Sequence, residues 1–275
     1  MEFIKSKLEI LSKLLISLVI FSSSGWAWST DLVAHKAFYS IRLGTVGEGS
    51  DFIDAKGNVS QVIELTCNGW TMSQKLHLSL TTSDGDEVVQ NLRFTGWESA
   101  DGSRYNFFAS NIIDGIREDY RGFALQGLNN SSGSASYRIP KDVKVSLPKG
   151  TFFPLSHTKW LIRRAKSGVR HVSNTFFDGT HMSAQRVSAF IGKQKLYGQH
   201  ITKDQGTLLG PLSQRPGWKI RMGFYNLGFK DYAPIFELEI LQLDNGVTPF
   251  LILDYQDFSL VFTQERLYEI PNPDC

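Results

Sequence analysis

The sequence predicts an all-β protein with accessory helices, in which one long antiparallel sheet curls into a spiral or half-barrel. Segments that alternate apolar and polar residues recur roughly every 8–12 residues, which is typical of a large antiparallel sheet. Asp-Gly and Asn-Gly pairs, which suit the positive φ angles of tight hairpins, separate these segments. Only one stretch after the N-terminal region has the pattern of a clear helix.

The first half of the chain contains six predicted strands. The third is the most regular, because Leu76, Leu78 and Leu80 alternate with polar residues and should share one buried face. The predicted strands are Leu32–Val46, Val59–Cys67, Lys75–Thr81, Glu87–Trp97, Arg104–Ser110 and Arg117–Ala124. The predicted turns are Asp54–Gly57, Asp84-Gly85, Asp101-Gly102 and Asp114-Gly115.

A polar loop and a helix occupy the middle of the chain. Asn129–Ala135 is rich in Asn, Ser and Gly and predicts a flexible boundary between two halves that meet near 129–150. After a short strand at Val143–Leu147, the pattern predicts a helix over Ser156–Ser167, with Ser156 as its cap and Gly168 at its end. Residues 28–275 are expected to form a single domain.

The second half returns to strands, and an Asn245-Gly246 pair marks a hairpin within it. The predicted strands are Val169–Phe177, Ser183–Ile191, Trp218–Tyr225, Tyr232–Leu243, Thr248–Asp254, Phe258–Phe262 and Glu265–Ile270.

Residues 1–27 are predicted to be a secretory signal peptide. Basic residues precede the apolar run Leu14–Phe21, and Gly25-Trp26-Ala27 is a candidate cleavage motif. The apolar run is shorter than the about 20 residues needed to span a bilayer. An uncleaved anchor is the alternative, and no later segment is long and apolar enough to span a membrane.

The chain has two cysteines, Cys67 and Cys275. In an oxidising compartment an even number favours a disulfide, and only one intramolecular pairing exists. The alternative is a buried Cys67 with a free Cys275. The net charge of +2, near +1 without the signal peptide, gives no indication of a nucleic-acid partner.

No catalytic or metal-binding constellation is predicted, and no cofactor is expected. The six histidines show neither an H-x-x-x-H spacing nor a cysteine at metal-ligand spacing; they are His35, His77, His157, His171, His181 and His200. Glu237, Glu239, Asp254 and Asp257 are the carboxylates that could serve glycoside hydrolysis, but strand alternation and turn chemistry explain them better.

Four tryptophans of the predicted domain (Trp70, Trp97, Trp160 and Trp218) should pack in a core or line a cavity, with core packing favoured. An apolar concave face of a curled sheet could hold a lipid or an acyl chain.

Several stretches, in order along residues 31–275, resemble the cell-envelope-integrity EipB family. They are Leu32–His35, Cys67-Asn-Gly-Trp70, Trp97–Gly102, Leu147–Gly150, His157-Thr158, Phe177–Gly179, Asp254–Phe258 and Cys275. Asn68 departs from the pattern, since an acidic residue is expected after the first cysteine.

The resemblance implies a non-enzymatic protein of the Gram-negative periplasm with a β-spiral fold similar to periplasmic lipoprotein carriers. It implies a disulfide between Cys67 and Cys275, and no catalytic residue is carried over. The expected function is maintenance of envelope integrity through protein contacts, with a homodimer or a helical-repeat periplasmic protein as partner. A carrier of lipid or lipoprotein acyl chains is the alternative, and a glycan hydrolase is the third.

Overall fold

The computed structural model describes residues 32–127, 131–197, 211–228 and 233–275. The predicted signal peptide (1–27), His200 and the first two residues of the predicted polar loop lie outside the described residues. Where the structure describes the chain, no helix is long and apolar enough to cross a membrane.

The described elements are fifteen strands, one α-helix and a short 3-10 turn. The first eight strands are β1 His35–Val46, β2 Phe52–Thr66, β3 Gly69–Thr82, β4 Glu87–Ser99, β5 Arg104–Ile113, β6 Ile116–Leu125, β7 Gly133–Ile139 and β8 Val143–Leu147. There follow α1 Pro154–Lys166, β9 His171–Phe176, β10 Gln185–Ile191, β11 Lys195–Leu196, the 3-10 turn Pro211–Ser213, β12 Pro216–Asn226, β13 Phe236–Leu243, β14 Phe250–Asp254 and β15 Phe258–Glu269.

All strands belong to one antiparallel sheet, which confirms the predicted all-β class. The strand order is β8-β7-β6-β5-β4-β3-β2-β1-β15-β14-β13-β12-β10-β9, with β11 paired to β12. Neighbours in this order are mostly consecutive in the chain, and the pairing of β1 with β15 joins the N-terminal and C-terminal strands. Short hairpins therefore build almost the whole sheet.

The sheet curls, because residues from distant strands share one core. Ile63 on β2 belongs to the same buried cluster as Ile220 on β12 and Ile240 on β13, and α1 contributes Leu161 to it. Near the two ends of the strand order, Phe152, which follows β8, forms a bridge to Phe176 on β9. The helix lies where the two ends of the sheet approach each other.

Two predictions in the first half are wrong. Asp54–Gly57 is no turn but part of β2, where a side chain at Gly57 would meet the His77 carbonyl oxygen of β3 at 2.5 Å. The strand β7 was missed, because its Gly and Ser residues indicated a loop. By contrast, the predicted turn at Asp114-Gly115 is confirmed, with φ angles of 48° and 80°.

Two further predictions need correction. The helix begins at Pro154, two residues before Ser156, because proline is suited to the first helical position. The strands predicted at Phe258–Phe262 and Glu265–Ile270 form one strand, β15. The predicted end of the helix at Gly168 is confirmed, with a φ of 79°.

Candidate functional site

A cavity of about 330 Å³ lies between the curled sheet and α1. Its walls come from strands on both sides of the curl and from the helix. Apolar side chains dominate them, among them Val59, Ile63, Met72, Leu76, Leu161, Phe176, Met222, Phe224, Leu238, Ile240, Leu251 and Phe262. These are the inward positions of strands whose alternate residues face solvent, so the cavity follows from the period-two pattern of the sequence.

None of the described residues that line the cavity is an Asp, Glu, Lys or Arg. Its polar lining consists of neutral groups: His35, Tyr39, Gln61, Gln74, His157, Thr158, Gln242 and Thr248. A charged occupant would lose its hydration without gaining a counter-charge there, which is costly in a protein interior. The cavity is therefore suited to an uncharged, mainly apolar molecule.

A hydrogen-bond network around Tyr39 supplies polarity at one wall. The Tyr39 hydroxyl donates to the Thr248 carbonyl oxygen at 3.0 Å and accepts from Gln264 Nε2 at 3.3 Å. Burial raises the pKa of Tyr39, so it stays a neutral donor at any physiological pH. Gln264 Oε1 is buried and has no partner among the described residues.

His157 projects from the first turns of α1 and also lines the cavity. It is 6% exposed, and its ring lies 5.2 Å from the Phe176 ring and 6.1 Å from the Trp160 ring. Burial lowers the pKa of His157 to about 4, against a smaller opposing effect of Asn174. The imidazole is therefore neutral near pH 7.

His35 is a second buried histidine of the lining. Its Nδ1 lies 2.8 Å from the Val33 carbonyl oxygen, and burial lowers its pKa against that hydrogen bond. Both histidines can thus remain uncharged in the apolar lining at neutral pH.

The first turn of α1 is held by Glu98 of β4. The Glu98 carboxylate is 3% exposed and accepts the backbone N–H groups of Leu155 and Ser156, each at 2.9 Å. Burial raises the pKa of Glu98, although the hydrogen bonds to the helix act in the opposite direction. Ser156, the predicted cap, lies inside the helix, and its hydroxyl bonds back to the Phe153 backbone. The cap is therefore a residue more than fifty positions away in the chain.

The Cys67–Trp70 stretch lies beside this attachment. A side chain at Gly69 would meet the Glu98 carbonyl oxygen at 2.2 Å, so only glycine allows β3 and β4 to approach here. The ammonium of Lys159 on α1 lies 5.0 Å from the Trp70 ring. The structure joins Cys67 to Cys275, with 5.6 Å between their Cα atoms and 208 residues of sequence separation.

The carboxylates considered for glycoside hydrolysis do not face the cavity. Glu237 forms an ion pair with Arg221, and Glu239 lies 3.4 Å from Lys219 Nζ. Both project from the outer face of β13, whose inward residues Leu238 and Ile240 line the cavity. Asp254 is the register partner of Glu237, and Asp257 is exposed in the following turn.

The other sequence candidates are also placed outside the cavity. His77 is exposed and bonds Asn91, and His171 bonds Ser188 on the surface. Within the described ranges, no three His, Cys, Asp or Glu side chains are arranged to hold a metal ion. The four tryptophans do not line the cavity; Trp70 and Trp218 are buried in the core.

Sequence reasoning missed Glu98, although the sequence contains a signal for it. Phe94, Gly96 and Glu98 share the inward face of β4, so a carboxylate stands at a position where the pattern requires an apolar residue. A buried charge needs hydrogen-bonding partners, and the helix N-terminus supplies them.

The chain is similar to proteins of one family. A family model described as EipB-like matches residues 27–268. The "Cell envelope integrity protein EipB" of Brucella abortus (strain 2308) is 28% identical over 235 residues, which cover 83% of this chain and 81% of that protein. A crystal structure of a β-barrel-like protein of unknown function from Brucella abortus covers 88% of this chain and 99% of its own, with a TM-score of 0.79 and 24% identity.

Proposed function

The chain belongs to the EipB-like family, and we propose that it is an exported, non-enzymatic protein that maintains cell-envelope integrity by binding an uncharged apolar molecule. The relative named as a cell envelope integrity protein supports the envelope role. The observation that carries the binding role is the cavity of about 330 Å³, whose mainly apolar lining includes no Asp, Glu, Lys or Arg among the residues that the structure describes. Its size lies at the lower end of the roughly 300–1,000 Å³ of typical ligand sites.

An acyl chain or a comparable neutral lipid moiety is the occupant that fits this chemistry. Each methylene moved from water into such a site contributes about 0.8 kcal/mol, so ten methylenes contribute roughly 8 kcal/mol before ordering is subtracted. Such a gain corresponds to affinities of about micromolar or weaker. Tyr39, Gln61 and His157 would meet a neutral polar group such as an ester or amide.

A variant that fills the cavity tests this proposal. Val59 faces the cavity from β2, whereas Val62, three residues later on the same strand, lies on the opposite face. In titrations with the uncharged dye Nile red, Val59→Phe is expected to abolish the increase in dye fluorescence that binding to the wild-type protein causes. Val62→Phe is expected to retain the wild-type increase. Equal dye binding by both variants, or none by the wild-type protein, would reject the cavity as a binding site.

Export to the periplasm is part of the proposal. It is supported by the signal-like residues 1–27 and by the pairing of Cys67 with Cys275, which an oxidising compartment favours. Cell fractionation followed by N-terminal sequencing should find the protein in the periplasmic fraction, starting near residue 28. A cytoplasmic protein that keeps Met1 would contradict export.

Contact with another envelope protein is the second candidate, and the free edge of β8 favours it. Among the described strands, β8 pairs only with β7, so one row of its backbone groups is open to a partner strand. An extended segment of a helical-repeat protein or a second copy of this chain would be the partner. A photo-crosslinking residue at Lys144 should give a defined adduct in cells, and one at Lys75 in the middle of the sheet should not. Absence of any adduct from position 144 would exclude this edge.

A further inference from the structure

The near-neutral total charge conceals a strong separation of charge along the chain. Residues 143–230 contain fifteen Lys and Arg residues but only two acidic residues, Asp178 and Asp204. The described part of this segment comprises β8 at one end of the strand order, α1, and the strands β9, β10, β11 and β12 at the other end. Some of its basic residues lie where the end of α1 meets β9 and β10.

Five cations form a continuous surface there, which we call the basic surface: Arg164, Lys166, Arg170, Lys193 and Lys195. All five are exposed. The Val169 N–H donates to the Arg164 carbonyl oxygen at 3.1 Å, and the Ile191 N–H donates to the Arg170 carbonyl oxygen at 2.8 Å. These bonds join the end of α1 to β9 and β10. Lys193 lies between β10 and β11, and Lys195 is the first residue of β11.

Within the described residues, no acidic side chain forms an ion pair with the basic surface. The acids on the adjoining part of the sheet, Glu237 and Glu239, are engaged by Arg221 and Lys219. Helix dipole effects favour cations in the last turn of α1, and this explains Arg164 and Lys166. That explanation does not extend to Arg170, Lys193 and Lys195, which lie on other segments.

Large apolar side chains stand exposed within the basic surface. Phe190 is 63% exposed on the outer face of β10, with its ring 4.7 Å from that of His171, and Leu196 is 53% exposed. Exposed aromatic and aliphatic residues among exposed cations are typical of surfaces that lie against a bilayer, where the apolar groups enter the interface and the cations meet headgroup phosphates.

We propose that the basic surface docks this protein on a bilayer containing anionic lipids. Long exposed lysines and arginines fit a fluid layer of headgroups better than one shaped partner. A single exposed phenylalanine offers no row of stacking platforms for nucleic acid. The same helix carries Arg164 and Lys166 outward and Leu161 toward the cavity, so docking brings the cavity cover close to the membrane. The docking does not require an occupied cavity.

Co-sedimentation with vesicles tests the proposal. The protein should pellet with vesicles of phosphatidylglycerol and phosphatidylcholine in equal parts, should not pellet with phosphatidylcholine alone, and should be released by added salt. The triple variant Lys166→Gln, Lys193→Gln, Lys195→Gln should bind on the order of a hundredfold more weakly, at about fivefold per cation.

The control is Arg42→Gln, Lys75→Gln, Arg93→Gln, which removes the same charge from the outer faces of β1, β3 and β4. Its affinity for mixed vesicles should lie within about threefold of that of the wild-type protein. Phe190→Ser should bind the mixed vesicles more weakly than the wild-type protein, with the same dependence on salt concentration. Equal binding by the two triple variants, or no binding to mixed vesicles, would overturn the proposal. Retention on immobilised polyglutamate without vesicle binding would assign the surface to an acidic protein instead. Nile red binding by the triple variants tests the cavity separately.

Discussion

Replacing Glu98 by alanine should loosen the helix that covers the cavity. In the wild-type protein its carboxylate accepts two backbone N–H groups at the start of α1, from Leu155 and Ser156. These groups have no intrahelical acceptor, because the first four N–H groups of any helix lack one. In Glu98→Ala they remain in a region that water reaches poorly, since Leu155 is 4% exposed.

The expected loss of unfolding free energy is about 3 kcal/mol. A buried donor left without an acceptor costs about 1–3 kcal/mol, which gives roughly 2–6 kcal/mol for two donors. Water entering the adjacent cavity of about 110 Å³ can solvate Ser156 and brings the loss toward the lower part of that range. Glu98→Gln keeps one oxygen acceptor and should lose less.

The dependence of stability on pH distinguishes the ionisable carboxylate of Glu98 from the neutral amide of Glu98→Gln. Burial raises the pKa of Glu98, so the folded protein holds this proton more tightly than the unfolded chain. The unfolding free energy of the wild-type protein should therefore decrease as the pH rises from 4.5 through the raised pKa of Glu98. This decrease should be absent from Glu98→Gln.

Urea unfolding measures the global loss, and hydrogen exchange of the amides of Leu155 and Ser156 measures local opening. The matched control is Glu64→Ala, which removes an exposed carboxylate from β2 and should change stability by less than about 0.5 kcal/mol. A loss below about 1 kcal/mol in Glu98→Ala, with unchanged exchange at both amides, would refute the assigned role of Glu98.

Two further predictions concern the disulfide and the buried histidine. Cys67→Ser should lower the unfolding free energy by up to roughly 5 kcal/mol, which is the chain-entropy value for a loop of this length; both cysteines are exposed, so little packing is lost. In urea unfolding, the wild-type protein with reductant should have the same midpoint as Cys275→Ser without reductant. A midpoint equal to that of the oxidised wild-type protein in both variants and in the reduced protein would contradict a stabilising disulfide. The pKa of His157 is about 4 in the folded protein and about 6.5 in the unfolded chain, so the unfolded state binds more protons between these values and the unfolding free energy should fall by about 3 kcal/mol as the pH drops from 6.5 to 4. His157→Gln should remove most of this pH dependence from urea midpoints measured across that range. An undiminished pH dependence in His157→Gln would show that other groups cause it.

The strands and the curl of the sheet were predicted from the sequence, but the contact between the two ends of the sheet was not. Period-two alternation and Asp-Gly turns identify strands from local residues, as Leu76, Leu78 and Leu80 illustrate on β3. The contact of Phe152 with Phe176 depends on the accumulated twist of many strands, which no local pattern encodes. The short strand β7 was missed because its inward residues, Ala135 and Tyr137, alternate with serine and glycine in a turn-like composition.

The candidate site was predicted only in outline. A concave apolar face was expected from the fold, whereas its neutral polar groups come from inward positions on strands far apart in sequence, such as Tyr39 and Gln242. The cap of α1 was assigned to Ser156 because local rules consider only adjacent residues, and the structure supplies Glu98 from β4 instead. Net charge likewise averages over the chain and so conceals the basic surface.

Native mass spectrometry of the protein purified from the periplasm, without reductant, tests the binding role most directly. The account predicts an additional mass on the wild-type chain that organic extraction identifies as an uncharged lipid moiety, and its absence from Val59→Phe but not from Val62→Phe. A bare wild-type chain, alone or as a dimer, under conditions that preserve known lipid complexes would contradict the account and favour protein contacts as the basis of envelope maintenance.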